Sequence, residues 1–393
     1  MLRSQQKIAA RLRDLVPGKV VSTPMLSYVP AGRYYWTGSG REALRQILLH
    51  LQGKSEKMLR VGVPAYTCQV VGEAARRAGC EVVLYDCDVI CTLEDIIPII
   101  RNVDVLLVSY NFGFVPPMND IAALCERNKV ILIEDCAQAL GAKLDGKIAG
   151  SFGSYAFYSF GISKNVGFCG GLIVSRDEFK LQGLLPFPSK ELAKLVGKVA
   201  VSPLFFHKML YPVTRKALQG ELHKEHAGMP YDCPMYARHV IFRQMMRYSQ
   251  IFDLRARNGL YCLKNIKRLE IVRPRWGESA WLYFVIKSSR SQELELKLRS
   301  VGVEMGPMYT FCCKDEGCPR ASDTSKQVLT FSLNRSEKEI AFIVKKINAV
   351  CATGEFEKTK DDVVIAGAQE KISEKTFEKR ADTISEKVSE SSR

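Results

Sequence analysis

The sequence lacks any long apolar run and any apolar leader. No stretch of eighteen or more uncharged apolar residues occurs among its 393 residues, which argues against a membrane-spanning helix. The first nineteen residues carry charges throughout and have no apolar core, so we expect no secretory signal. The expected location is therefore the cytoplasm.

The sequence also lacks the paired Cys-x-x-Cys spacing of zinc sites, although it contains 13 cysteines. Most of them stand singly in apolar segments, where a free cysteine behaves as a small hydrophobe. Cys312, Cys313 and Cys318 lie close together but have no histidine nearby, so we predict no metal site there. Without an export signal, a reducing compartment is the simplest interpretation of this cysteine usage.

A motif for binding nucleic acid is likewise missing, and the basic residues form no single stripe. The formal charge is nevertheless +15. The last 42 residues contain 8 basic and 10 acidic side chains, so the body holds 49 basic against 32 acidic ones. Such a field attracts nucleotides, nucleic acids or acidic lipid surfaces. We favour a small anionic substrate and no nucleic-acid partner.

Short apolar runs do alternate with helix-like stretches between residues 42 and 175. Six strands are predicted, at 60–63, 81–86, 103–110, 130–135, 154–160 and 171–175. The alternation of strands with amphipathic segments favours an α/β fold with a mainly parallel central sheet covered on both faces.

Changes in composition divide the chain into four predicted segments. They are an N-terminal segment (1–34), a large domain (35–245), a smaller C-terminal α+β domain (246–351) and a flexible charged tail (352–393). A long helix over 236–265 leads into the small domain, and a strand at 281–286, a helix at QELELKLRSVG and a final helix near 336–350 complete the predicted set.

Residues 177–234 interrupt the large domain with a stretch rich in aromatics and prolines, which we interpret as a helical insertion. It packs over the large domain or forms a lid in the favoured interpretation. In the other, residues 196–213 touch a membrane surface, since large apolar side chains stand beside Lys198 and Lys208.

Three local patterns indicate chemistry. The apolar strand in ILIEDCAQALGA ends at Asp135, and ligands of open α/β sheets bind beyond the carboxyl ends of strands. A second strand ends at Ser159 shortly before Lys164, whose ammonium is costly to bury without a partner. The glycine-rich turn TGSGREAL opens a helix at Gly40, and a helix N-terminus attracts anions. Each pattern alone also has an ordinary explanation, as a helix cap or a solvated lysine.

Together these patterns resemble the DegT–StrS family of sugar aminotransferases, which use pyridoxal phosphate (PLP) and have PLP fold type I. The motifs that carry the resemblance are SGREAL (39–44), VPAYTC (63–68), AGCEVVLYD (78–86), IEDCAQALGA (133–142), SFGISK (159–164) with Gly170–Gly171, and CPRASDTSKQVLTFSL (318–333). They extend over roughly residues 35–350. The Asp-x-x-Gln step and the five-residue step from serine to lysine are hallmarks of the family.

The resemblance implies a role for each residue near the cofactor ring. Lys164 would carry the cofactor as a Schiff base, and Asp135 would pair with the ring nitrogen. Gln138 would lie near the ring oxygen. The ring face would be covered by Cys68, which is nearer the family position, or by Tyr66, which is the better stacking group.

The resemblance also implies a phosphate site. Ser159 would bind the phosphate, and backbone N–H groups of Gly40 and Arg41 would complete the site.

By the same resemblance, the chain is expected to be a homodimer that transfers an amino group from L-glutamate to a keto sugar, which is nucleotide-linked. A cyclitol or another small ketone is an alternative acceptor, and a non-catalytic membrane-associated scaffold of the same fold is another alternative. A sugar dehydratase fits less well, because related dehydratases have histidine in place of Lys164.

The chain departs from the family pattern at three places that bear on the substrate. Gly161 stands where histidine is common, Phe168–Cys169 replaces Gly-Glu, and the segment 227–235 has no asparagine.

Overall fold

The structure is a computed structural model that describes residues 10–16, 23–205, 230–306, 317–353 and 356. Within these residues the strands are β1 (Arg33–Thr37), β2 (Arg60–Pro64), β3 (Glu81–Tyr85), β4 (Val105–Ser109), β5 (Ile131–Asp135), β6 (Lys143–Leu144), β7 (Lys147–Ile148), β8 (Tyr155–Ser159), β9 (Gly171–Ser175), β10 (Glu270–Ile271), β11 (Tyr283–Lys287) and β12 (Val328–Ser332). The helices are α1 (Gly40–Gln52), α2 (Gln69–Arg77), α3 (Leu93–Ile96), α4 (Met118–Arg127), α5 (Ser189–Phe205), α6 (Met235–Met245), α7 (Tyr248–Asn265), α8 (Ser291–Ser300), α9 (Pro319–Gln327) and α10 (Glu337–Val350). Short 3₁₀ turns connect several of them.

Seven strands form the large sheet, in the order β1-β9-β8-β5-β4-β2-β3. The five strands from β8 to β3 are parallel, whereas β9 runs antiparallel to both of its neighbours. All six strands predicted between residues 60 and 175 are present in this sheet. The seventh, β1, was not predicted, because its half-exposed sequence RYYWT has no apolar alternation that would mark it as a strand.

Both faces of the sheet are covered, as the continuous apolar runs predicted. Every residue of β4 is buried. Val105 and Leu107 pack in a cluster with residues of α1 and α2, while Leu106 and Val108 face the opposite side and join the main core. This alternation follows from the two-residue period of a strand, and it confirms the predicted doubly covered sheet.

The smaller sheet is antiparallel, in the order β10-β11-β12. It packs with α8 and α10 into the main core, so the C-terminal part has the expected α+β composition. The strand and the final helix predicted for this part are β11 and α10. The four-segment division remains a prediction; β1 begins at Arg33, two residues before the predicted start of the large domain.

The helix predicted as one piece over 236–265 is two helices, α6 and α7, so that prediction was wrong. Arg247 separates them with non-helical backbone angles, φ −119° and ψ 11°. The Arg247 guanidinium forms a buried ion pair with Asp14, with N–O distances of 2.7 and 2.8 Å. The break therefore occurs where α6 is joined to the N-terminal segment.

Only part of the insertion and the tail can be compared with expectation. Helix α5 lies inside the predicted insertion 177–234, and its side chains Leu192, Leu195 and Val196 pack toward Val199 and Ala237. Residues 206–213 of the possible membrane patch, Cys312, Cys313 and nearly all of the tail lie outside the described residues. In the parts of the chain that the structure describes, no helix has the length and apolar character to cross a bilayer. The same ranges contain no cluster of three metal-binding side chains.

Candidate active site

The candidate site lies where strands β4, β5 and β8 end. Ser109 and Asp135 are register partners at the carboxyl ends of β4 and β5. Ser159 ends β8, the next strand in the sheet, and the chain then turns through the loop that contains Lys164. The topology thus brings together residues that are up to 55 positions apart in sequence at one edge, as expected for an open α/β sheet.

Asp135 is a buried carboxylate with two hydrogen-bond donors. Its Oδ2 accepts from the Ser109 hydroxyl at 3.2 Å, and its Oδ1 accepts from the Ala137 backbone N–H at 3.0 Å. Ser109 is in turn 3.1 Å from the Thr67 hydroxyl. Asp135 is 8% exposed, and burial raises its pKa, although the two donors and the charge of Lys164 act in the opposite direction. A cation placed beside Asp135 would therefore stabilise its charged form.

The loop that carries Lys164 is closed by backbone hydrogen bonds. The Phe168 N–H donates to the Phe160 carbonyl at 2.7 Å, and the Phe160 N–H donates to the Gly170 carbonyl at 2.9 Å. Within the loop the Lys164 N–H donates to the Gly161 carbonyl at 2.8 Å. Lys164 is half-buried rather than fully solvated. Its charge acts on both Asp135 and Cys68, which places these three predicted residues together.

A cradle for an anion forms at the start of α1. The Ser39 hydroxyl caps the helix by accepting from the Glu42 N–H at 3.1 Å. A Cβ atom at Gly40 would lie 2.7 Å from the Ser159 Cβ and 3.0 Å from its hydroxyl oxygen, so only glycine lets the helix start approach Ser159 this closely. The predicted neighbours Gly40 and Ser159 are therefore adjacent, and the first-turn amides with their dipole lie beside a hydroxyl.

The glycine pair after the lysine loop keeps this cradle tight. Gly170 has φ +128°, which disfavours other residues, and a Cβ at Gly171 would lie 2.3 Å from the Ser39 carbonyl oxygen. The start of β9 can therefore pass directly against the cap of α1.

The structure distinguishes the two candidates for the ring face. Tyr66 is 0% exposed, with its ring centroid 6.5 Å from that of Phe112, so its side chain has no surface on which a ligand can stack. Cys68 is half-buried, and its thiol interacts electrostatically with Lys164, Asp135 and Arg41. Burial raises the pKa of Cys68. Of the two candidates, only Cys68 therefore has side-chain surface that a ligand could contact.

Gln138 has a structural contact that its position in the motif did not predict. Its side-chain oxygen accepts from the Phe112 N–H at 2.5 Å. Phe112 has φ +60°, a left-handed conformation that non-glycine residues seldom adopt. Gln138 therefore holds the turn after β4 in a strained conformation, in addition to its predicted place near the ring oxygen.

Glu134 directly precedes Asp135 in β5. Neighbouring residues of a strand point to opposite faces, so Glu134 lies away from the site that Asp135 faces. Its carboxylate is fully buried, and that burial raises its pKa. Four groups donate to it: the Gly150 N–H at 2.7 Å, the Phe152 and Gly153 N–H groups at 2.6 Å, and the Tyr110 hydroxyl at 2.5 Å.

Ser109, Gln244 and Asn165 form hydrogen bonds with predicted site residues or with the lysine loop, and none of the three was predicted. Gln244 of α6 forms two 3.1 Å hydrogen bonds with the backbone of Gly167, one in each direction, and so fixes the far side of the lysine loop. Ser109 had a detectable signal, since it is a polar residue near the end of a predicted strand. No local pattern marks Gln244, because its partner lies 77 residues earlier in the chain.

These residues fit pyridoxal phosphate. The α1 cradle beside Ser159 suits a phosphate, the buried Asp135 suits a protonated ring nitrogen, and the Lys164 amine suits an aldehyde. Gly40 supplies a direct structural test of this fit, because any side chain there would fill the cradle.

Comparison with known proteins gives the same result. The sequence profile of the DegT/DnrJ/EryC1/StrS aminotransferase family matches residues 26–342. A pleiotropic regulatory protein of Geobacillus stearothermophilus is 32% identical over 317 residues, covering 72% of this chain and 76% of that relative. UDP-N-acetyl-3-dehydro-alpha-D-glucosamine 3-aminotransferase of Acidithiobacillus ferrooxidans is 34% identical over 158 residues, covering 37% of this chain and 42% of that enzyme.

Among solved structures, a Streptococcus pneumoniae protein in its PLP form superposes with a TM-score of 0.65 at 15% identity, covering 90% of this chain and 99% of that one. At this identity the similarity establishes the fold. Together with the family match over most of the sequence, it shows that the chain belongs to the DegT/DnrJ/EryC1/StrS aminotransferase family.

Proposed function

We propose that the protein is a PLP-dependent aminotransferase that moves an amino group from L-glutamate to a keto sugar, the sugar being linked to a nucleotide. One observation carries the proposal: the charge of half-buried Lys164 acts on the buried carboxylate of Asp135, beside a helix-start cradle formed with Ser159. The name of the Acidithiobacillus ferrooxidans relative, a 3-aminotransferase of a UDP-linked keto sugar, supports the substrate class.

Each side chain has a task in this reaction. When bound, the cofactor supplies an electron sink that stabilises negative charge on the carbon bearing the amino group. Asp135 holds the ring nitrogen in its protonated form, because a buried carboxylate favours a neighbouring cation. Lys164 acts as the general base: its amine, once released from the cofactor, would take the proton from the donor α-carbon and would deliver it to the cofactor carbon bonded to the same nitrogen.

The remaining residues bind and orient. The start of α1, with Gly40 and Arg41, holds the phosphate together with the Ser159 hydroxyl. Cys68 covers one face of the ring. Gln138 fixes the turn at Phe112 on the neighbouring strand end. The net positive charge of the body favours an acceptor that carries phosphate groups.

The proposal includes a homodimer in the cytoplasm. Its support is the family pattern, in which the active site lies between subunits. The mass of the purified protein, measured by light scattering, tests the dimer.

The function is tested by a two-stage screen of the purified, PLP-loaded protein. Addition of L-glutamate should decrease the absorbance of the lysine-bound cofactor. Addition of a UDP-linked 3-keto sugar should then restore that absorbance. If only free cyclitol ketones restore this absorbance, the acceptor is a small ketone and not a nucleotide-linked sugar. A colourless protein unable to bind PLP would contradict the enzyme and favour a scaffold. K164A should bind PLP without the absorbance of the lysine-bound form, while K147A, which changes an exposed lysine, should behave as wild type.

A further inference from the structure

One arginine is buried close to the lysine loop without an acidic partner. Arg255 lies in α7 and is 1% exposed, and its burial lowers its pKa. No carboxylate within the described ranges forms an ion pair with it, and its Nε has no hydrogen-bond partner there. Burying a guanidinium without a counter-ion is costly, so the position calls for a reason other than stability.

The hydrogen bonds of Arg255 converge on the residue that follows Lys164. Its Nη2 donates to the backbone carbonyl of Asn165 at 3.3 Å. Its Nη1 lies 3.1 Å from the Asn165 side-chain oxygen, with the amide oriented so that both of its polar atoms meet complementary partners. Tyr248 lies close to Arg255, and its hydroxyl donates to the Leu140 carbonyl at 2.8 Å.

Asn165 connects this arginine to the other side of the site. It is 2% exposed, and in the same orientation its side-chain nitrogen lies 2.9 Å from the backbone carbonyl of Gln138. Gln138 follows Asp135 by three residues. One asparagine therefore joins the lysine loop, the segment after β5 and α7.

Backbone hydrogen bonds and Gln244 hold the ends of the lysine loop, whereas the bond from the Lys164 N–H to the Gly161 carbonyl lies within the loop and does not tie its centre to the rest of the fold. Gly161, before Lys164, adds conformational freedom there, so a contact to Asn165 restrains the part of the loop that carries the amine. The planar, forked guanidinium fixes the Asn165 carbonyl and amide together, which a single-point donor cannot do.

We propose that Arg255 is a positioning residue for Lys164: acting through Asn165, it holds the lysine loop at a fixed distance from the Gln138 segment and thus sets where the amine meets the cofactor. The inference rests on the proposed PLP chemistry. Arg255 itself touches neither cofactor nor substrate in this account.

The test uses the full-length protein and the variants R255M, R255K, N165A and R255M/N165A. R257M is the matched control, because Arg257 is on the same helix but exposed and paired with Glu337 at 3.7 Å. The readouts are the dissociation constant for PLP, kcat and KM for glutamate at saturating PLP, and the melting temperature of the apoprotein.

We expect R255M to weaken PLP binding about tenfold and to lower kcat about tenfold, while KM for glutamate stays within about twofold. R255K should lie between R255M and wild type, because lysine restores the charge without the fork. N165A should match R255M, and the double variant should be no worse than either, since both residues act through one contact. R257M should equal wild type.

Three results would overturn the inference: R255M with wild-type PLP affinity and kcat, a double variant whose losses multiply, or a lower melting temperature as the only change. Should R255M fail to fold, R255K and N165A still decide the matter, because both must lower kcat and PLP affinity. A wild-type protein that binds no PLP would instead refute the proposed function itself.

Discussion

Two neighbouring residues of β5 show how differently this protein uses buried carboxylates. Glu134 points to the loop before β8 and accepts from four donors, whereas Asp135 points to the lysine loop and accepts from two. Four donors nearly exhaust the lone-pair sites of a carboxylate. Glu134 therefore has little capacity left for a ligand, and Asp135 retains some.

At the end of β5, Glu134 therefore has a structural role, whereas Asp135 is available for a ligand. Glu134 ties the backbone of Gly150, Phe152 and Gly153 to the sheet, and so it shapes the approach to β8. Asp135 is left partly unsatisfied in a place where burial raises its pKa. Under-satisfied buried charges cost stability and are expected at functional sites.

Replacement of Asp135 should have the largest effect on activity. D135N removes the charge that holds the ring nitrogen protonated, and we expect turnover to fall about 100-fold or more with the fold unchanged. The measurement is kcat at saturating PLP, with circular dichroism as the control for folding. A D135N protein with more than half of the wild-type kcat would contradict the role of Asp135.

Replacement of Glu134 should lower stability and leave PLP binding unchanged, the opposite of what is expected for Asp135. E134Q places an amide nitrogen among four donors, which leaves buried groups unpaired and should lower the free energy of unfolding by about 3 kcal/mol. PLP affinity of the folded fraction should remain near that of wild type. Urea unfolding measures the change in the free energy of unfolding. Unchanged stability would mean that the four contacts contribute little.

The phosphate cradle should be sensitive to one methyl group. In G40A the new Cβ would meet Ser159 at 2.7 Å, so the helix start or the serine must shift, and PLP affinity should fall about tenfold. G197A is the control, because a Cβ at Gly197 meets nothing within 4 Å. Equal PLP affinities in G40A and G197A would show that Gly40 does not contribute to phosphate binding.

The raised pKa of Asp135 gives a smaller effect that depends on pH. Since its pKa is higher in the folded than in the unfolded apoprotein, its contribution to stability is present in acid and is lost as pH rises through the folded value. Relative to D135N, the wild-type apoprotein should therefore become less stable as pH rises from acid toward neutral. Unfolding curves of both proteins across this range check the sign, and a wild-type apoprotein that gains stability relative to D135N as pH rises would refute it.

The smallest expected effect concerns the ring face. C68A should weaken PLP binding by about two- to fivefold, because it removes one polarizable contact. Y66F should leave PLP binding unchanged, since Tyr66 is fully buried. If only Y66F weakens PLP binding, Tyr66 and not Cys68 covers the ring.

The parts predicted from sequence are those with a local signal. The six strands between residues 60 and 175 are short apolar runs, and the cap at Ser39 directly precedes the helix it starts. Asp135 and Lys164 were predicted as site residues because family motifs fix their spacing. Strand β1 was missed, because its partner β9 lies more than 130 residues later and nothing in RYYWT indicates the pairing.

The support around the site could not be predicted in this way. Arg255 contacts Asn165 across 90 residues, and Gln244 contacts Gly167 across 77. Such contacts depend on how the helices pack on the sheet, which no local periodicity reports. The difference in burial between Tyr66 and Cys68 likewise could not be predicted, because both lie in the same motif.

The most direct test of the account is to reduce the PLP-loaded protein with borohydride and to map the labelled peptide. The account predicts a single stable label on Lys164, absent from K164A and reduced in extent by D135N. A label on a different lysine, or none with full PLP occupancy, would contradict the assignment of the site.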